Sequence, residues 1–255
     1  MKRIFAPVLL FLTVLQPFAS AQQPERTRWT ENFSDPETLT KHWEIYGFLA
    51  SGISKETPLG KGVGGKDCRP EWWQIVDGSL RGQSFPEEEH TSGIGRAVRG
   101  TDVRLECRIK LPHKGTVAIS FRGHNPIVEK EFVVAGIQIR EDRISGVDND
   151  VLHPKGTAEA EALKKSGGWN RKMILPKMEK IQLAPDVWHE VVIETRERVV
   201  TASIDGQLAL TYTTLTGEVP KTSVGFGHGA DPEKKAITAT WFQNIEFGPA
   251  EETPR

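Results

Sequence analysis

Strict two-residue alternation of apolar and charged side chains is the feature that most limits the folds open to this chain. Between residues 101 and 111 every second residue is apolar, and the residues between them are mostly charged. The apolar set is Val103, Leu105, Cys107, Ile109 and Leu111. Successive side chains of a β-strand point to opposite faces, so this pattern predicts a strand with one buried face. Further strands are predicted at 116–122, 132–140, 187–195, 198–205, 207–213, 222–228 and 237–247.

Two Asp-Gly pairs predict tight turns between neighbouring strands. Asp77-Gly78 separates two short apolar segments, and Asp205-Gly206 separates two of the later strands. Asp-Gly favours the two-residue turns that join antiparallel strands. Many short strands with such turns predict an all-β fold, an antiparallel two-sheet jelly-roll sandwich of the concanavalin A-like type, over residues 27–248. Residues 249–255 are predicted to be a disordered tail.

The segment 141–185 interrupts this pattern, because no clear alternation runs through it. Residues 158–165 are strong helix formers, and Gly167-Gly168 would end a helix there. One short helix is therefore predicted inside an insertion. A long insertion in a compact domain often carries function, and the alternative is a decorative loop.

The first 21 residues have the organisation of a secretory signal peptide. Lys2 and Arg3 precede an apolar run over 4–15, and Ala19-Ser20-Ala21 fits a small-x-small cleavage site. The alternative is a membrane anchor, but the run is shorter than the ~18–20 apolar residues that span a bilayer. The protein is expected to be exported, to the periplasm or the medium, without stable membrane insertion.

Charge and cysteine content exclude several classes of protein. The chain has 33 Lys plus Arg against 34 Asp plus Glu, a formal net charge of −1. A nucleic-acid-binding protein usually has a basic excess, so nucleic acid is not an expected partner. Two cysteines exclude a disulfide-dense scaffold and a multi-cysteine zinc module. In an oxidising compartment Cys68 and Cys107 either pair or remain separate thiols.

Several segments, taken in order, resemble the concanavalin-like (laminin-G-like) jelly rolls. More narrowly, they look like the secreted 3-keto-disaccharide hydrolase-like domains of bacteria. The similarity extends over most of residues 43–247. The segments are 43–44, 73–82, 102–109, 117–123, 136–139, 188–193, 204–206, 223–229 and 241–247.

The resemblance implies that the sandwich binds or cleaves modified sugars on a face or rim. It assigns site roles to Arg122, Gln138 and His228, which match the family's Arg, Gln and Gly-flanked His. Two positions before the Gln, where the family usually has a Glu, this chain has Gly136. If that Glu takes part in the chemistry, catalysis by this chain is in question.

Alternation alone also points to a ligand face. It places Arg122 beside Ala118 and Ser120 on the non-core side of one strand, and Gln138 and Arg140 on the non-core side of another. Guanidinium and amide groups among small residues suit hydrogen bonds to sugar hydroxyls, carbonyls or carboxylates. The alternative is an ordinary solvated sheet face.

Other candidate residues lie in loops and at strand ends. His124 and His228 are candidate general bases, although a lone histidine is more often structural. Trp72 and Trp169 stack on sugar rings or pack in the core. Asp148 and Asp150 bind a divalent metal such as calcium, or serve only in turns.

The chain lacks the paired-carboxylate pattern of sandwich glucanases, Glu-x-Asp-x-x-Glu. Three functions remain: a hydrolase or lyase that cleaves glycosidic bonds of 3-keto sugars, a non-catalytic glycan-binding module, and an adhesion domain without a small ligand. Cleavage by elimination and hydration needs a base, His228 or His124, and Arg122 to polarise the ketone. The first two functions make a carbohydrate or glycoside the partner.

Overall fold

Two antiparallel sheets carry most of the strands in the computed structural model. It describes residues 27–46, 60–61, 67–85, 92–125, 130–151, 156–165, 171–229 and 236–250. One sheet contains β1 (Trp29–Glu31), β5 (Trp73–Val76), β6 (Ser79–Ser84), β8 (Val103–Lys110), β15 (His189–Arg196), β16 (Val199–Ile204), β17 (Gln207–Thr213) and β19 (Thr238–Pro249). These eight strands have the order β17-β16-β15-β8-β19-β6-β5, and β1 pairs with β19.

The second sheet has seven strands and packs its apolar face against the first. It contains β2 (Glu44–Tyr46), β7 (Gly93–Gly100), β9 (Thr116–Asn125), β10 (Lys130–Arg140), β11 (Arg143–Gly146), β14 (Met178–Lys180) and β18 (Lys221–His228). Their order is β14-β11-β10-β9-β18-β7-β2. Smaller elements are β3 (Gly60–Lys61) with β4 (Asp67–Cys68), β12 (Asp148–Val151) with β13 (Arg171–Ile174), and the helices α1 (Thr38–His42) and α2 (Ala158–Lys165).

The core lies between the two sheets and follows the predicted alternation. On β8 every second residue is buried, from Val103 to Ile109. Aromatic rings fill the centre: Trp43 packs 5.7 Å from Phe226, and Phe226 packs 5.2 Å from Phe242, measured between ring centroids. Such pairs contribute about 0.5–1.5 kcal/mol beyond the area that they bury. The all-β sandwich predicted from the sequence is confirmed.

Both Asp-Gly turns adopt the backbone that the prediction requires. The φ angles are 49° at Asp77 and 67° at Gly78, and 50° at Asp205 and 76° at Gly206. Positive φ at both central residues is the property of a type I′ turn, whose twist matches that of the strands it joins.

The insertion has more structure than the sequence indicated. The helix is confirmed as α2, but four strands (β11, β12, β13 and β14) also lie between residues 141 and 185. These strands have three or four residues each, which is too short for alternation to be recognised.

The C-terminal boundary lies later than predicted. β19 continues through Pro249, and the N–H of Ala250 donates to the carbonyl oxygen of Asp102 at 3.2 Å, with Ala250 buried. The predicted signal peptide lies outside the described residues. Neither helix in the described part of the chain is long and apolar enough to span a membrane.

The Cys107 thiol is free and lies in the core, where burial raises its pKa. The Cys68 side chain lies outside the described part of the chain. The structure therefore gives Cys107 the role of a small apolar core residue.

Tyr212 connects the two sheets through its hydroxyl group. The hydroxyl accepts the N–H of Gly136 at 3.0 Å and lies 2.6 Å from the Gly136 carbonyl oxygen, to which it donates. The carbonyl oxygen of Val147 lies 3.1 Å away. Burial raises the pKa of Tyr212, so the hydroxyl stays protonated. This bond holds β17 of one sheet against β10 of the other.

Tyr212→Phe is expected to lower the free energy of unfolding by about 1–3 kcal/mol, because it leaves the buried Gly136 amide without its acceptor. Urea unfolding followed by circular dichroism measures the change. Thr211→Ala, at an exposed position on the same strand, is the control and should change stability by less than about 0.5 kcal/mol. Equal stability of the Tyr212→Phe variant and the wild type would contradict the role given to this hydroxyl.

Candidate functional site

The outer face of the seven-stranded sheet, which points away from the core, has a floor of small residues. Cross-strand pairing brings these residues side by side on β7, β18, β9 and β10. We call this set the small-residue floor: Gly93, Gly95, Gly225, Gly227, Ala118, Ser120 and Gly136. Because none of these side chains is longer than serine, a ligand can approach the backbone closely.

Arg122 and His124 stand at one end of the floor, on β9. Because every second residue of a strand lies on the same face, both share a face with Ser120. Arg122 is half-buried and His124 is exposed. Ser223 of β18 lies directly opposite Arg122, and its hydroxyl is buried without a hydrogen-bond partner among the described residues. This end of the floor therefore combines a guanidinium, an imidazole and a hydroxyl group.

Gln138 and Arg140 of β10 stand at the other end. Gln138 pairs across the strands with Ala118, and Arg140 pairs with Thr116. The Nε atom of Arg140 is buried and has no hydrogen-bond partner in the part of the chain that the structure describes. Ala118 is four residues from Arg122 on β9, so the two ends lie about 13 Å apart along the strand. A saccharide of two or more rings is long enough to extend between these two levels of the strand.

His228 does not share this face, contrary to the sequence-based expectation. It pairs with Val117, whose side chain points into the core, and it is only 4% exposed. Its Nδ1 lies 2.6 Å from the Ser84 hydroxyl, and its ring packs 5.1 Å from Trp73. Burial lowers the pKa of His228 to about 3, so the ring is neutral near pH 7. The glycines that flank it, Gly227 and Gly229, point to the opposite side of the strand.

Trp72 does not lie on this face either. Trp72 is 4% exposed and belongs to the hydrophobic core, because the short 3₁₀ turn Pro70–Trp72 directs it inward. Its predicted stacking on a sugar ring is therefore excluded by burial. Trp169 lies outside the described residues.

The Asp148 carboxylate is engaged by the backbone. It is buried, with Oδ1 accepting the N–H of Asn149 at 2.7 Å and Oδ2 accepting the N–H of Leu215 at 2.6 Å. The side chain of Asp150 is outside the described part of the chain. No group of three His, Cys, Asp or Glu side chains within the described residues is arranged to hold a metal ion. Asp148 therefore connects β12 to the loop after β17.

Glu44 is an acidic residue on this face that the sequence reasoning did not assign to the site. It lies on β2 opposite Gly95, in the same cross-strand row as Gly225, Ser120 and Gly136. Four strand spacings separate β2 from β10, about 19 Å. Retaining glycosidases need two carboxylates about 5–5.5 Å apart, and inverting ones about 6.5–9.5 Å. No second acidic side chain among those described on this face stands that close to Glu44 across the strands.

Gly136, which lies where the family that the sequence resembles usually has a Glu, has surroundings that admit no side chain. A Cβ atom there would lie 2.7 Å from the carbonyl oxygen of Ile119 and 3.0 Å from Cα of Ser120. Pairing with β9 is irregular between Val133 and Ala135, just before this position. The glycine is therefore required by the close approach of β9 and β10.

Solved structures of other proteins share this architecture. The catalytic domain of an endo-1,3-β-glucanase (laminarinase) from Thermotoga petrophila matches 89% of this chain and 100% of its own, with a TM-score of 0.54 and 14% identity. A LamA variant from Zobellia galactanivorans, in complex with laminaritriose and laminaritetraose, matches 86% of this chain and 97% of its own, with a TM-score of 0.55 and 13% identity. A sialidase matches 88% of this chain at a TM-score of 0.54 and 10% identity, but this chain covers only 18% of it.

At these identities the likeness shows the fold alone, a concanavalin-like jelly roll. This agrees with the jelly-roll fold that the sequence predicts. No protein-family model and no curated protein matches the chain. The narrower resemblance to the 3-keto-disaccharide hydrolase-like domains stays a prediction.

Proposed function

We propose that this protein is carbohydrate-active and binds a saccharide of two or more rings along the small-residue floor. The observation that carries the proposal is the floor itself, with Arg122 and His124 at one end and Gln138 and Arg140 at the other. A flat face without large side chains accommodates sugar rings, while guanidinium and amide groups at its ends donate hydrogen bonds to their oxygens. The signal-like residues 1–21 make export of the chain part of the same proposal.

The fold comparison is consistent with an elongated sugar ligand. The LamA variant, whose fold is similar, is described in complex with laminaritriose and laminaritetraose. Its likeness to this chain is one of architecture and not of active-site residues. The separation of about 13 Å between the levels of Arg122 and Gln138 supports the same length of ligand independently.

The chemistry that we propose is cleavage of a 3-keto glycoside by elimination and hydration. Arg122 donates hydrogen bonds to the ketone oxygen at C3, which stabilises the enolate, and His124 removes the proton from C2. The electron pair forms the C1–C2 double bond while the C1–O bond breaks, and His124 returns the proton to the leaving oxygen. Water then adds across the double bond, hydroxyl at C1 and hydrogen at C2, so the net reaction is hydrolysis. This route needs no carboxylate pair.

Incubation of the purified protein with 3-keto-trehalose tests the reaction. Release of glucose above the spontaneous rate, lost in His124→Ala, is the expected result. No release under any condition, together with saturable binding of a disaccharide, would reject the proposed cleavage and leave binding in place. Absence of both would reject the sugar site.

Arg122→Ala is expected to weaken saccharide binding by roughly tenfold or more, since a hydrogen bond from a charged donor contributes about 1.5–3 kcal/mol. Isothermal titration calorimetry with the same disaccharide measures the loss. Arg108→Ala, an exposed arginine on the other sheet, is the matched control and should bind as the wild type does. Unchanged binding by the Arg122→Ala variant would show that the site is placed wrongly.

A non-catalytic glycan-binding module is the second candidate function. It is favoured by the burial of His228 in the core, which removes one of the two predicted bases from the face. Under this reading the same floor binds the saccharide without cleaving it, and 3-keto-trehalose is bound and recovered intact.

A further inference from the structure

The outer face of the eight-stranded sheet, on the opposite side of the sandwich, carries a row of cationic and aromatic side chains. Cross-strand pairing joins Gln74 to Arg81, Arg81 to Trp241, and Trp241 to Lys110. Trp188 directly precedes β15 and comes beside Lys110, because the next residues, His189 and Ile109, are paired. The row crosses five strands, about 19 Å. We call it the cation–indole row: Gln74, Arg81, Trp241, Lys110 and Trp188.

The cations in this row are held on the indole rings. Nζ of Lys110 lies 4.8 Å from the ring centroid of Trp241 and 5.2 Å from that of Trp188. Cζ of Arg81 lies 5.8 Å from the Trp241 ring, and Cζ of Arg108, next to the row on β8, lies 5.4 Å from the Trp188 ring. Cation–π attraction at these distances fixes three positive groups on a flat surface.

No salt bridge within the described residues involves Lys110, Arg81 or Arg108. Arg104 and Arg196, on the same face, are paired with Glu106 and Glu194. In contrast, Arg81 donates to the side-chain oxygen of Gln74, and its Nε is buried without a partner among the described residues.

The acidic residue nearest to the three cations on the neighbouring strand is Glu190. It pairs with Arg108 across the strands and is exposed. A second carboxylate, that of Glu106, lies two residues before Arg108 on β8 and is paired with Arg104. The row therefore retains a local excess of positive charge, although the whole chain has a formal net charge of −1.

We propose that the cation–indole row binds an acidic polysaccharide, with carboxylate or sulfate groups of the polymer bound by Arg81, Lys110 and Arg108. A linear row on a flat sheet suits a polymer that lies along it. Trp188 and Trp241 are half-buried beneath the cations, whereas anchoring in a membrane interface requires indoles that insert among the headgroups. Single-stranded nucleic acid requires open aromatic faces for its bases, and here Lys110 occupies them.

This surface is distinct from the small-residue floor, because the two lie on opposite faces of the sandwich. Binding at the row therefore does not depend on the proposed saccharide site. The two can be tested separately on the same protein.

Affinity electrophoresis of the full chain in gels that contain polygalacturonate or dextran sulfate tests the proposal, with neutral dextran as the reference polymer. The wild type is expected to be retarded by the acidic polymers at low salt and released at high salt, because added salt screens the attraction. The double variant Lys110→Gln/Arg81→Gln is expected to bind at least about tenfold more weakly, through loss of two charge-assisted contacts. Lys110→Arg keeps the charge and should remain retarded.

The matched control is Lys41→Gln/Lys165→Gln, which removes the same charge from two exposed lysines on the helices. It should be retarded as the wild type is, and so should Arg122→Ala. Equal mobility of the row variant and the control, or no retardation of the wild type, would overturn the proposal. So would retardation by single-stranded DNA or binding to anionic vesicles without retardation by either polysaccharide. Loss of retardation in the Arg122→Ala variant would show that acidic polymers bind at the small-residue floor and not at the cation–indole row.

Discussion

Gly136→Glu is expected to lower the free energy of unfolding by about 3 kcal/mol or more, although it would supply the acidic residue that is usual in the family which the sequence resembles. The new Cβ would lie 2.7 Å from the Ile119 carbonyl oxygen. That oxygen belongs to β9, which is paired on both sides, so the backbone cannot move away without losing sheet hydrogen bonds. The rest of the glutamate side chain would extend outward over the small-residue floor, so the clash arises at Cβ.

Urea unfolding of a series at this position tests whether the clash at Cβ is the cause. Gly136→Ala adds only the Cβ atom and is expected to account for most of the loss. Gly227→Ala is the control on the same floor, because its Cβ would meet only the Cβ of Ala118, at 3.6 Å, an ordinary contact. The control should lose no more than about 1 kcal/mol. If Gly136→Ala is as stable as Gly227→Ala, close approach is not the reason for the glycine.

The stability of the Gly136 variants is relevant to the proposed elimination reaction. A glycine that the packing of β9 against β10 requires is not a position from which a catalytic carboxylate has simply been lost. A reaction on this face then depends on the groups that stand there, which are Arg122 and His124. Restoring the acid should therefore not raise the release of glucose from 3-keto-trehalose, and an increase would contradict the elimination route.

Strands with one buried face could be predicted from the sequence, because burial imposes the period of two that the chain displays between 103 and 111. β7 could not. Its sequence, 93–100, has glycine at three of eight positions, which locally indicates a turn. In the fold, Gly93 and Gly95 are part of the floor, and pairing of β7 with β18 on one side and β2 on the other makes a strand of them.

The side of the sheet on which a candidate residue lies could be predicted from its odd or even position along the strand. Strand alternation predicted correctly that Arg122 and Gln138 lie on the non-core side. It contains no information on the distance between them along the strands, because that distance depends on the register of strand pairing. His228 was misplaced for a different reason. Its flanking glycines were interpreted as room for a ligand, whereas the alternation of Val224, Phe226 and His228 indicates the core side. Burial of Trp72 follows from the turn before β5, and no sequence pattern predicted that turn.

The stability of the wild type is expected to fall as the pH decreases from about 6.5 toward 3, more steeply than that of a His228→Asn variant. Burial lowers the pKa of His228 to about 3, while in the unfolded chain a histidine titrates near 6.5. Between these values the unfolded state binds a proton that the folded state does not, so the free energy of unfolding decreases by about 1.4 kcal/mol for each pH unit. Above pH 6.5 both states are neutral at this residue, and the contribution is fully present.

The difference between the two proteins isolates this histidine from the carboxylates that also titrate at low pH. Asparagine retains a polar group near the Ser84 hydroxyl and does not titrate, so the variant lacks the loss of roughly 3 kcal/mol that the wild type accumulates by pH 4. Urea unfolding at pH 7, 6, 5 and 4 measures both curves, and His42→Asn, at an exposed position in α1, is the control that should follow the wild type. Parallel curves for wild type and His228→Asn would mean that the folded protein accepts the proton, and hence that water reaches the ring. A histidine that the fold keeps neutral and enclosed cannot exchange protons with a ligand on the other face of the sheet, which leaves His124 as the base of the proposed reaction.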